Sequence, residues 1–280
     1  MSLKMDTLKV PGAELYHEVR GSGPVLLAIP GGPTDAGVFH GFAERLSDRY
    51  TVVTYDPRGH SRSRFDGPPP EDLSVQIHAD DAAALIGALS SEPAFVMGSS
   101  GGGTIGLDLA TRHGEKVKTL VAHEPPVMEL LPDGDRWRAL FQDIYDTYRN
   151  EGVFPAMGKF GAAVEEGGPS YNEASQPSEP TPEMAEMMER MTPNFELFLA
   201  HEIRQIGGYV PDLEALKASP TRIVIGGGKT SGQQGAYRAA VALAEALGRD
   251  VTYFEGAHGG FGAPEEAFAE RVHEILRGDA

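Results

Sequence analysis

The sequence predicts an α/β protein in which a mostly parallel central sheet carries helices on both faces and is interrupted by a helical insertion. Apolar runs of strand length recur along the chain, and turns followed by helical patterns separate them. Residues 126–217 depart from this alternation, because they contain helical patterns without a convincing strand. With 280 residues, the chain has room for one large domain and an insertion. We therefore expect a core domain formed by residues 1–125 and 218–280 and a helical cap formed by residues 126–217.

The predicted strands are nearly continuous runs of apolar residues, which is typical of strands that are buried on both faces in a parallel sheet. They are residues 25–29, 50–55, 94–97, 117–122, 222–225 and 251–254. Near the start of the chain, residues 7–10 and 14–20 predict an antiparallel hairpin at the edge of the sheet.

The predicted core helices place apolar residues three and four positions apart, which gives each helix one apolar face for packing on the sheet. They are residues 73–89, 101–113, 233–247 and 264–276. Pro264 stands at the first position of the last helix, where the backbone needs no N–H donor.

The insertion is predicted to contain four helices, at residues 135–149, 154–164, 182–191 and 193–206. Between the second and the third, residues 165–180 are rich in Gly, Pro, Ser and Glu, and this composition predicts a loop. In the third helix, methionines recur at helical spacing, which indicates either core packing or the wall of an adaptable apolar pocket. They are Met184, Met187, Met188 and Met191.

Ser100 lies in the pattern Gly98-x-Ser100-x-Gly102, directly after the predicted strand 94–97 and before the predicted helix 101–113. This is the context of a nucleophile elbow, a sharp turn between strand and helix that raises a serine hydroxyl above the sheet. Small residues on both sides allow the turn, and the helix N-terminus lies beneath the serine. We therefore expect Ser100 to be a nucleophile.

The glycines of this region also fit a second pattern. Gly101-x-Gly103-x-x-Gly106 matches the fingerprint of a dinucleotide-binding turn, and Glu124 lies near the distance of a ribose-binding carboxylate. That fingerprint usually opens its domain, whereas this match follows two earlier strand-and-helix units. It also leaves Ser100 without a role, so we favour the elbow.

A serine nucleophile needs a general base, and the base needs a carboxylate that orients it. Among the nine histidines, His258 follows the last predicted strand, at the edge where parallel strands present functional residues. His123, at the end of the predicted strand 117–122, is the second candidate. The other histidines occupy positions typical of surface, helix or packing residues. We therefore expect His258 to be the base.

Strand, elbow, helix, helical insertion and a late Gly-Ala-His at residues 256–258 together resemble the α/β-hydrolase superfamily over nearly the whole chain. Pro-Gly-Gly-Pro at residues 30–33 is similar to the oxyanion loop of that family, and residues 56–63 are similar to a turn that is mainly structural there. The resemblance implies that the backbone N–H groups of Gly32 and Gly101 form an oxyanion hole. A donor of this kind typically contributes about 10²–10³-fold in rate.

The orienting acid departs from the usual pattern of the family. Most relatives carry an Asp a few residues after the strand that here is 222–225, but residues 226–232 contain no carboxylate. The alternative position is the end of the preceding strand of the sheet, where Glu124 lies. The order Ser100, Glu124, His258 agrees with the serine, acid, histidine order of the family. We therefore expect Glu124 to orient the base.

Two short motifs point to a narrower group within the superfamily. Ser-Ser-Gly at residues 99–101 and His-Glu-x-Pro at residues 123–126 resemble the subgroup with Ser-His-Glu triads, to which zearalenone-type lactone hydrolases belong.

These features predict acyl transfer to water, with a small to medium apolar ester or lactone as substrate. The mechanism requires no metal and no cofactor, and we expect none. Trp137, near the start of the insertion, is a candidate wall of the substrate pocket or a packing residue between cap and core. C–C bond hydrolases use the same triad, and perhydrolases and non-catalytic ligand-binding proteins share the fold, so the fold alone does not determine the reaction.

Charge and composition restrict the partners. The formal charge is −17, from 24 Lys and Arg residues against 41 Asp and Glu residues. Such a field repels phosphate backbones and anionic lipid head groups, so we expect a small-molecule substrate and neither nucleic acid nor membrane as a partner. The chain has no Cys, which excludes a thiolate nucleophile, a disulfide and a Cys-type zinc site. Residues 1–10 lack the apolar stretch of a signal peptide, which predicts a cytoplasmic protein, and a homodimer is left open.

Overall fold

The computed structural model describes residues 3–168, 182–262 and 265–278. Within these ranges the strands form one nine-stranded sheet. They are β1 (Lys4–Val10), β2 (Ala13–Gly21), β3 (Val25–Ile29), β4 (Thr51–Tyr55), β5 (Arg64–Phe65), β6 (Ala94–Ser99), β7 (Val117–His123), β8 (Arg222–Gly228) and β9 (Val251–Phe254). Their spatial order is β1-β2-β4-β3-β6-β7-β8-β9, and β5 pairs with β2.

The sheet is mostly parallel, as the sequence predicts. In the spatial order β4-β3-β6-β7-β8-β9 all neighbouring strands pair in parallel. Strand β2 pairs antiparallel with β1, β4 and β5. Ile29 at the end of β3 lies opposite Gly98, and Ser99 at the end of β6 lies opposite His123. The carboxyl ends of three neighbouring strands therefore meet at one edge, and Ser100 follows directly at that edge.

Helices cover both faces of the sheet. They are α1 (His40–Leu46), α2 (Val75–Leu89), α3 (Gly101–Arg112), α4 (Gly134–Glu151), α5 (Val153–Glu165), α6 (Pro182–Met191), α7 (Asn194–Leu197), α8 (Ile203–Gly207), α9 (Leu213–Ala218), α10 (Gly235–Leu247) and α11 (Glu265–Arg277). A π-helical turn, Phe198–Glu202, joins α7 to α8. Helices α4 to α9 lie in the insertion between β7 and β8.

Two apolar clusters pack against opposite faces of the sheet, because successive side chains of a strand point to opposite faces. In β3, which is buried at every residue, Leu26 and Ala28 belong to one cluster and Leu27 and Ile29 to the other. The first cluster contains side chains of α1 and α11. The second contains side chains of α2, α3 and α10 and continues into the insertion. The insertion therefore shares an apolar core with one face of the sheet.

The predicted elements agree with the structure in type and order, but several differ in extent: the helix predicted at 193–206 is divided into α7, the π-helical turn and α8, and the strand predicted at 7–10 begins at Lys4. Short elements were missed. Helices α1 and α9 and the two-residue strand β5 were not predicted, because elements of this length contain too few residues for a repeating apolar pattern. The strand predicted at 222–225 continues to Gly228, since its glycines pair with β9. Of the predicted loop 165–180, residues 169–180 lie outside the described residues, as does Pro264.

Candidate active site

Ser100 occupies the turn between β6 and α3. Its backbone has φ 55° and ψ −128°, a conformation that L-residues rarely adopt and that costs about 1–3 kcal/mol. Two backbone hydrogen bonds hold the turn: the Ser100 N–H donates to the carbonyl of His123 at 2.9 Å, and the Ser100 carbonyl accepts from the N–H of Gly103 at 2.8 Å. The strained turn predicted from the glycine pattern is present in the structure.

The glycines around Ser100 allow α3 to begin against the sheet. A Cβ atom on Gly98 would lie 2.2 Å from the carbonyl oxygen of Gly102, and a Cβ atom on Gly102 would lie 2.0 Å from that of Ile29. Further along α3, a Cβ atom on Gly106 would lie 2.7 Å from a methyl carbon of Leu120. These glycines, including Gly106 of the dinucleotide-type pattern, therefore serve the close packing of α3 on the strands.

Glu124, which directly follows β7, is completely buried and has a positive φ of 44°. Its Oε2 accepts a hydrogen bond from Nδ1 of His258 at 2.7 Å. Its Oε1 accepts from the N–H of Gly228 at 2.7 Å and from the hydroxyl of Ser231 at 2.5 Å. Three donors around one carboxyl group suit the ionised form, which only accepts hydrogen bonds.

The pKa of Glu124 reflects two opposing effects. Burial alone would raise this pKa, but the hydrogen bond and charge of His258, the nearby His123 and the hydroxyl of Ser231 lower it to about 2. Glu124 is therefore a carboxylate at neutral pH, with its charge directed at the ring of His258.

His258 lies in the loop after β9 and is 6% exposed. Because the Glu124 carboxylate can only accept, Nδ1 of His258 carries a hydrogen and Nε2 is the other ring nitrogen available for proton transfer. Ser100 and His258 line one cavity, although no hydrogen bond joins them in the part of the chain that the structure describes. Bonds of this kind are often long until a substrate binds. The structure thus brings Ser100, His258 and Glu124 together.

Two of the donors to Glu124 were not predicted from the sequence. Gly228 and Ser231 lie in the segment that was noted only for its missing carboxylate. A Cβ atom on Gly228 would lie 2.6 Å from Oγ of Ser231 and 2.7 Å from the carbonyl oxygen of Gly256, so only glycine fits there. The sequence feature that could have indicated these donors is the glycine run at residues 226–228, which is followed by Ser231 where most relatives carry the acid. This segment donates to the acid instead of supplying it.

The two backbone amides expected to form an oxyanion hole are neighbours. Gly32 has a φ of 60°, and a Cβ atom on Gly101 would lie 3.4 Å from the nitrogen of Gly32. A Cβ atom on Gly31 would lie 2.8 Å from the nitrogen of Gly101. Gly32 and Gly101 also line the cavity that Ser100 and His258 line.

The wall of this cavity is mostly apolar. The larger apolar side chains in its wall are Met128, Trp137, Phe141, Phe160, Phe198, Ile203 and Ile206. None of the lining residues among those described is Lys, Arg, Asp or Glu. Trp137, 3% exposed, both forms part of the wall and packs in the apolar core. The cavity therefore suits an uncharged ligand.

The described methionine side chains of α6 do not line this wall. Of the described side chains, Met191 is buried and Met188 is 49% exposed, and neither they nor Met187 line the cavity. The side chain of Met184 lies outside the described residues.

His123, the second candidate for the base, lies behind the cavity wall. It is completely buried, its Nδ1 lies 3.1 Å from the hydroxyl oxygen of Ser99, and burial lowers its pKa to about 4. Its ring stacks at 6.5 Å on the ring of His258. His123 is therefore a neutral packing residue at neutral pH.

The turn at residues 56–63 forms a buried polar network. Asp56 accepts a hydrogen bond from the N–H of Ala36 at 3.0 Å. His60 lies 3.2 Å from Oε2 of Glu202 in the insertion. These contacts fix the position of the turn relative to the loop after β3 and to the insertion.

The described residues show neither a metal-binding cluster nor a membrane-spanning helix. They contain no group of three or more His, Asp or Glu side chains that could hold a metal ion. No helix among them is long and apolar enough to cross a membrane.

A family model for the alpha/beta hydrolase fold matches residues 24–199. The chain belongs to the α/β-hydrolase family. The match begins just before β3 and includes the turn at Ser100 and most of the insertion.

One relative of this α/β-hydrolase matches it along nearly its whole length. The chain is 38% identical to the uncharacterized hydrolase YraK of Bacillus subtilis (strain 168), over 99% of this chain and 97% of YraK. It is 34% identical to the 2-(acetamidomethylene)succinate hydrolase of Mesorhizobium japonicum, over 37% of this chain and 36% of that enzyme. Among solved structures, a thermophilic esterase from Thermogutta terrifontis aligns with a TM-score of 0.76 at 18% identity and covers 98% of both chains. At that identity the esterase shows the shared fold, and the relatives together identify the chain as an enzyme of the hydrolase class.

Proposed function

We propose that this α/β-hydrolase cleaves small to medium apolar carboxylic esters or lactones through a covalent acyl-serine intermediate. One observation carries the proposal: Ser100 at its strained turn and His258 paired to the buried Glu124 line the same apolar cavity. In this proposal Ser100 is the nucleophile, His258 the general base and Glu124 the acid that orients the base.

Acylation begins when Nε2 of His258 takes the hydroxyl proton of Ser100 and Oγ forms a bond to the carbonyl carbon of the substrate. The carbonyl oxygen becomes an oxyanion, which accepts hydrogen bonds from the N–H groups of Gly32 and Gly101. The bond from that carbon to the alkoxy oxygen then breaks, and the alcohol leaves with the proton from His258. In a lactone the alcohol stays attached to the acyl chain.

Deacylation repeats these steps with water. His258 takes a proton from a water molecule, the hydroxide attacks the acyl carbon, and Gly32 and Gly101 again donate to the oxyanion. The bond to Oγ breaks, His258 returns the proton to Ser100, and the carboxylic acid leaves. In both halves the ring of His258 becomes positively charged, and the buried Glu124 carboxylate stabilises that charge.

The cavity wall supports a neutral substrate. A substrate carboxylate in this cavity would lose its hydration without gaining a cationic partner, since no described Lys or Arg lines the wall. The relative named for 2-(acetamidomethylene)succinate acts on a compound with two carboxylates, so we propose a different substrate here. The resemblance to zearalenone-type lactone hydrolases supports lactones alongside esters.

We also propose that the insertion is the substrate-selecting part of the enzyme. In this division residues 1–125 and 218–280 form the core, which carries the reacting groups, and residues 126–217 form a cap. The cap supplies most of the apolar wall, including Trp137 and Phe141.

Labelling with a fluorophosphonate tests the proposal, because only a serine activated by a base forms the covalent adduct. Mass spectrometry should find one adduct, on the peptide that contains Ser100, and Ser100→Ala should lose both the adduct and the hydrolysis of p-nitrophenyl butyrate. Ser99→Ala is the matched control, since the neighbouring Ser99 hydroxyl is buried against His123. The Ser99→Ala protein should still be labelled. A folded wild-type protein that takes no label would contradict the proposal and favour a non-catalytic ligand-binding protein.

A further inference from the structure

The loop that carries Gly32 is held from the insertion by an ion pair whose carboxylate is buried and whose arginine is partly exposed. Asp35, three residues after Gly32, is completely buried. Its Oδ2 accepts a hydrogen bond from Nε of Arg190 at 2.6 Å, and its Oδ1 accepts from Nη2 of Arg190 at 3.3 Å. Oδ1 also accepts from the N–H of Gly37 at 2.8 Å. A two-point contact of this kind fixes the direction of the carboxylate as well as its charge.

Asn194, four residues after Arg190, makes a second contact with the same loop. Its Nδ2 donates to the carbonyl oxygen of Pro33 at 3.3 Å. Its Oδ1 accepts from the N–H of Ser61 at 2.8 Å, and Nδ2 also donates to the Ser61 hydroxyl at 3.0 Å. The insertion therefore holds the loop at two points, Pro33 and Asp35, on the side that follows Gly32.

The ion pair keeps Asp35 ionised inside the protein. Burial by itself would raise the pKa of Asp35, but the hydrogen bonds from Arg190 and from the Gly37 N–H hold the pKa below its usual value. An unpaired buried carboxylate is costly, so without Arg190 the Asp35 side chain would either take up a proton or turn toward water, and both changes remove the contact that fixes this part of the loop. The loop that carries Gly32 is thus anchored at Asp35 by an arginine 155 residues further along the chain.

We propose that Arg190 is a positioning residue for the reaction: through Asp35 it holds the loop so that the Gly32 N–H points at the oxyanion. The inference rests on the proposed function. Arg190 does not line the cavity, so in this proposal it acts through Asp35 and not on the substrate or the reacting atoms directly. Arg190 affects the rate through one backbone donor, the N–H of Gly32. This donor stabilises the oxyanion in the transition states of acylation and deacylation.

A kinetic comparison of Arg190→Gln, Arg190→Lys and Asp35→Asn with p-nitrophenyl butyrate tests this role. A lost oxyanion donor costs about 10²–10³ in rate, so Arg190→Gln should lower kcat about 100-fold. KM should stay within about threefold, because the donor contributes little to ground-state binding. Arg190→Lys keeps the charge but loses the planar two-point contact, and should recover part of kcat. If Arg190 only stabilises the fold, Arg190→Gln should lower the melting temperature, and it should not lower kcat selectively while KM stays nearly unchanged.

Asp35→Asn covers the case in which Arg190→Gln folds poorly. It removes the buried charge, keeps an oxygen for the Gly37 N–H, and leaves Arg190, whose side chain is 29% exposed, in contact with water. We expect it to fold and to lower kcat. Arg138→Gln is the matched control, since Arg138 is an ion-paired arginine of the insertion that contacts Glu129 and not the loop. Its kinetic constants should stay within about twofold of wild type.

The outcomes separate the two proposals. Folded Arg190→Gln and Asp35→Asn enzymes with kcat within about threefold of wild type would overturn the positioning role and leave the proposed function standing. A wild-type enzyme that neither hydrolyses the ester nor takes the fluorophosphonate at Ser100 would overturn the proposed function and this inference with it.

Discussion

Replacement of Glu124 by Gln is the sharpest test of the assigned base, because the structure determines how the new amide must orient. One oxygen of Glu124 accepts from two donors, the N–H of Gly228 and the hydroxyl of Ser231. The Gln carbonyl must face these donors, which turns its NH₂ group toward Nδ1 of His258. Nδ1 can then only accept, so the ring hydrogen moves to Nε2, the nitrogen that should take the proton of Ser100.

The expected loss follows from this change of tautomer. An orienting carboxylate replaced by its amide in a serine triad lowers the rate about 10³–10⁴-fold, because the ring is held in the wrong protonation pattern. At 1.36 kcal/mol for each factor of ten, this is about 4–5.5 kcal/mol of transition-state stabilisation. Gln has the shape of Glu and keeps two of the three hydrogen bonds, so the fold should be retained.

The assay is kcat/KM for p-nitrophenyl butyrate between pH 6 and 9, with circular dichroism to verify the fold. Glu129→Gln is the matched control, since Glu129 also follows β7 but pairs with Arg138. That control should stay within about twofold of wild type. A Glu124→Gln enzyme with kcat/KM within about tenfold of wild type would show that another group or water orients His258, and not Glu124.

Three further predictions concern the same site and its turn. Ser231→Ala removes a hydrogen bond to a charged acceptor and should lower kcat/KM about tenfold, which steady-state kinetics would measure; an unchanged value would mean that Ser231 only fills space. Gly102→Ala puts a Cβ atom 2.0 Å from the carbonyl oxygen of Ile29, so the free energy of unfolding in urea should fall by about 3 kcal/mol, and an unchanged midpoint would contradict the packing argument. The depressed pKa of Glu124 stabilises the fold above its ordinary value of 4.5, and this stabilisation disappears as the pH falls toward about 2. The difference in unfolding free energy between wild type and Glu124→Gln should therefore shrink by about 3 kcal/mol between pH 6 and 2, and a difference independent of pH would contradict the assigned pKa.

Much of the fold and the identity of the reacting residues could be predicted because their signals are local. A strand buried on both faces is visible as an apolar run, and a helix as an apolar period, within a few residues of chain. The strained turn at Ser100 needs only its own strand, its own helix and the glycines Gly98 and Gly102. Elements of two turns or fewer, such as α1 and α9, carry too little pattern to be predicted.

Glu124 is an intermediate case. The sequence indicated it by elimination, since no carboxylate follows the strand at 222–225, and by its place at the end of a neighbouring strand. The donors that make it a buried carboxylate come from 104, 107 and 134 residues further along the chain. No local pattern predicts that a glycine N–H and the Ser231 hydroxyl would meet it.

The order of strands and helices, the turn that presents Ser100 and the candidates for base and acid could all be read from the chain, because each depends on short-range geometry. The surroundings of these residues depend on contacts between distant parts of the chain. The wall of the cavity combines side chains of several helices of the insertion, and the loop of Gly32 is held by Arg190, 155 residues from its partner Asp35. Contacts over such separations depend on how the insertion packs on the sheet, and that packing leaves no periodic trace in the chain.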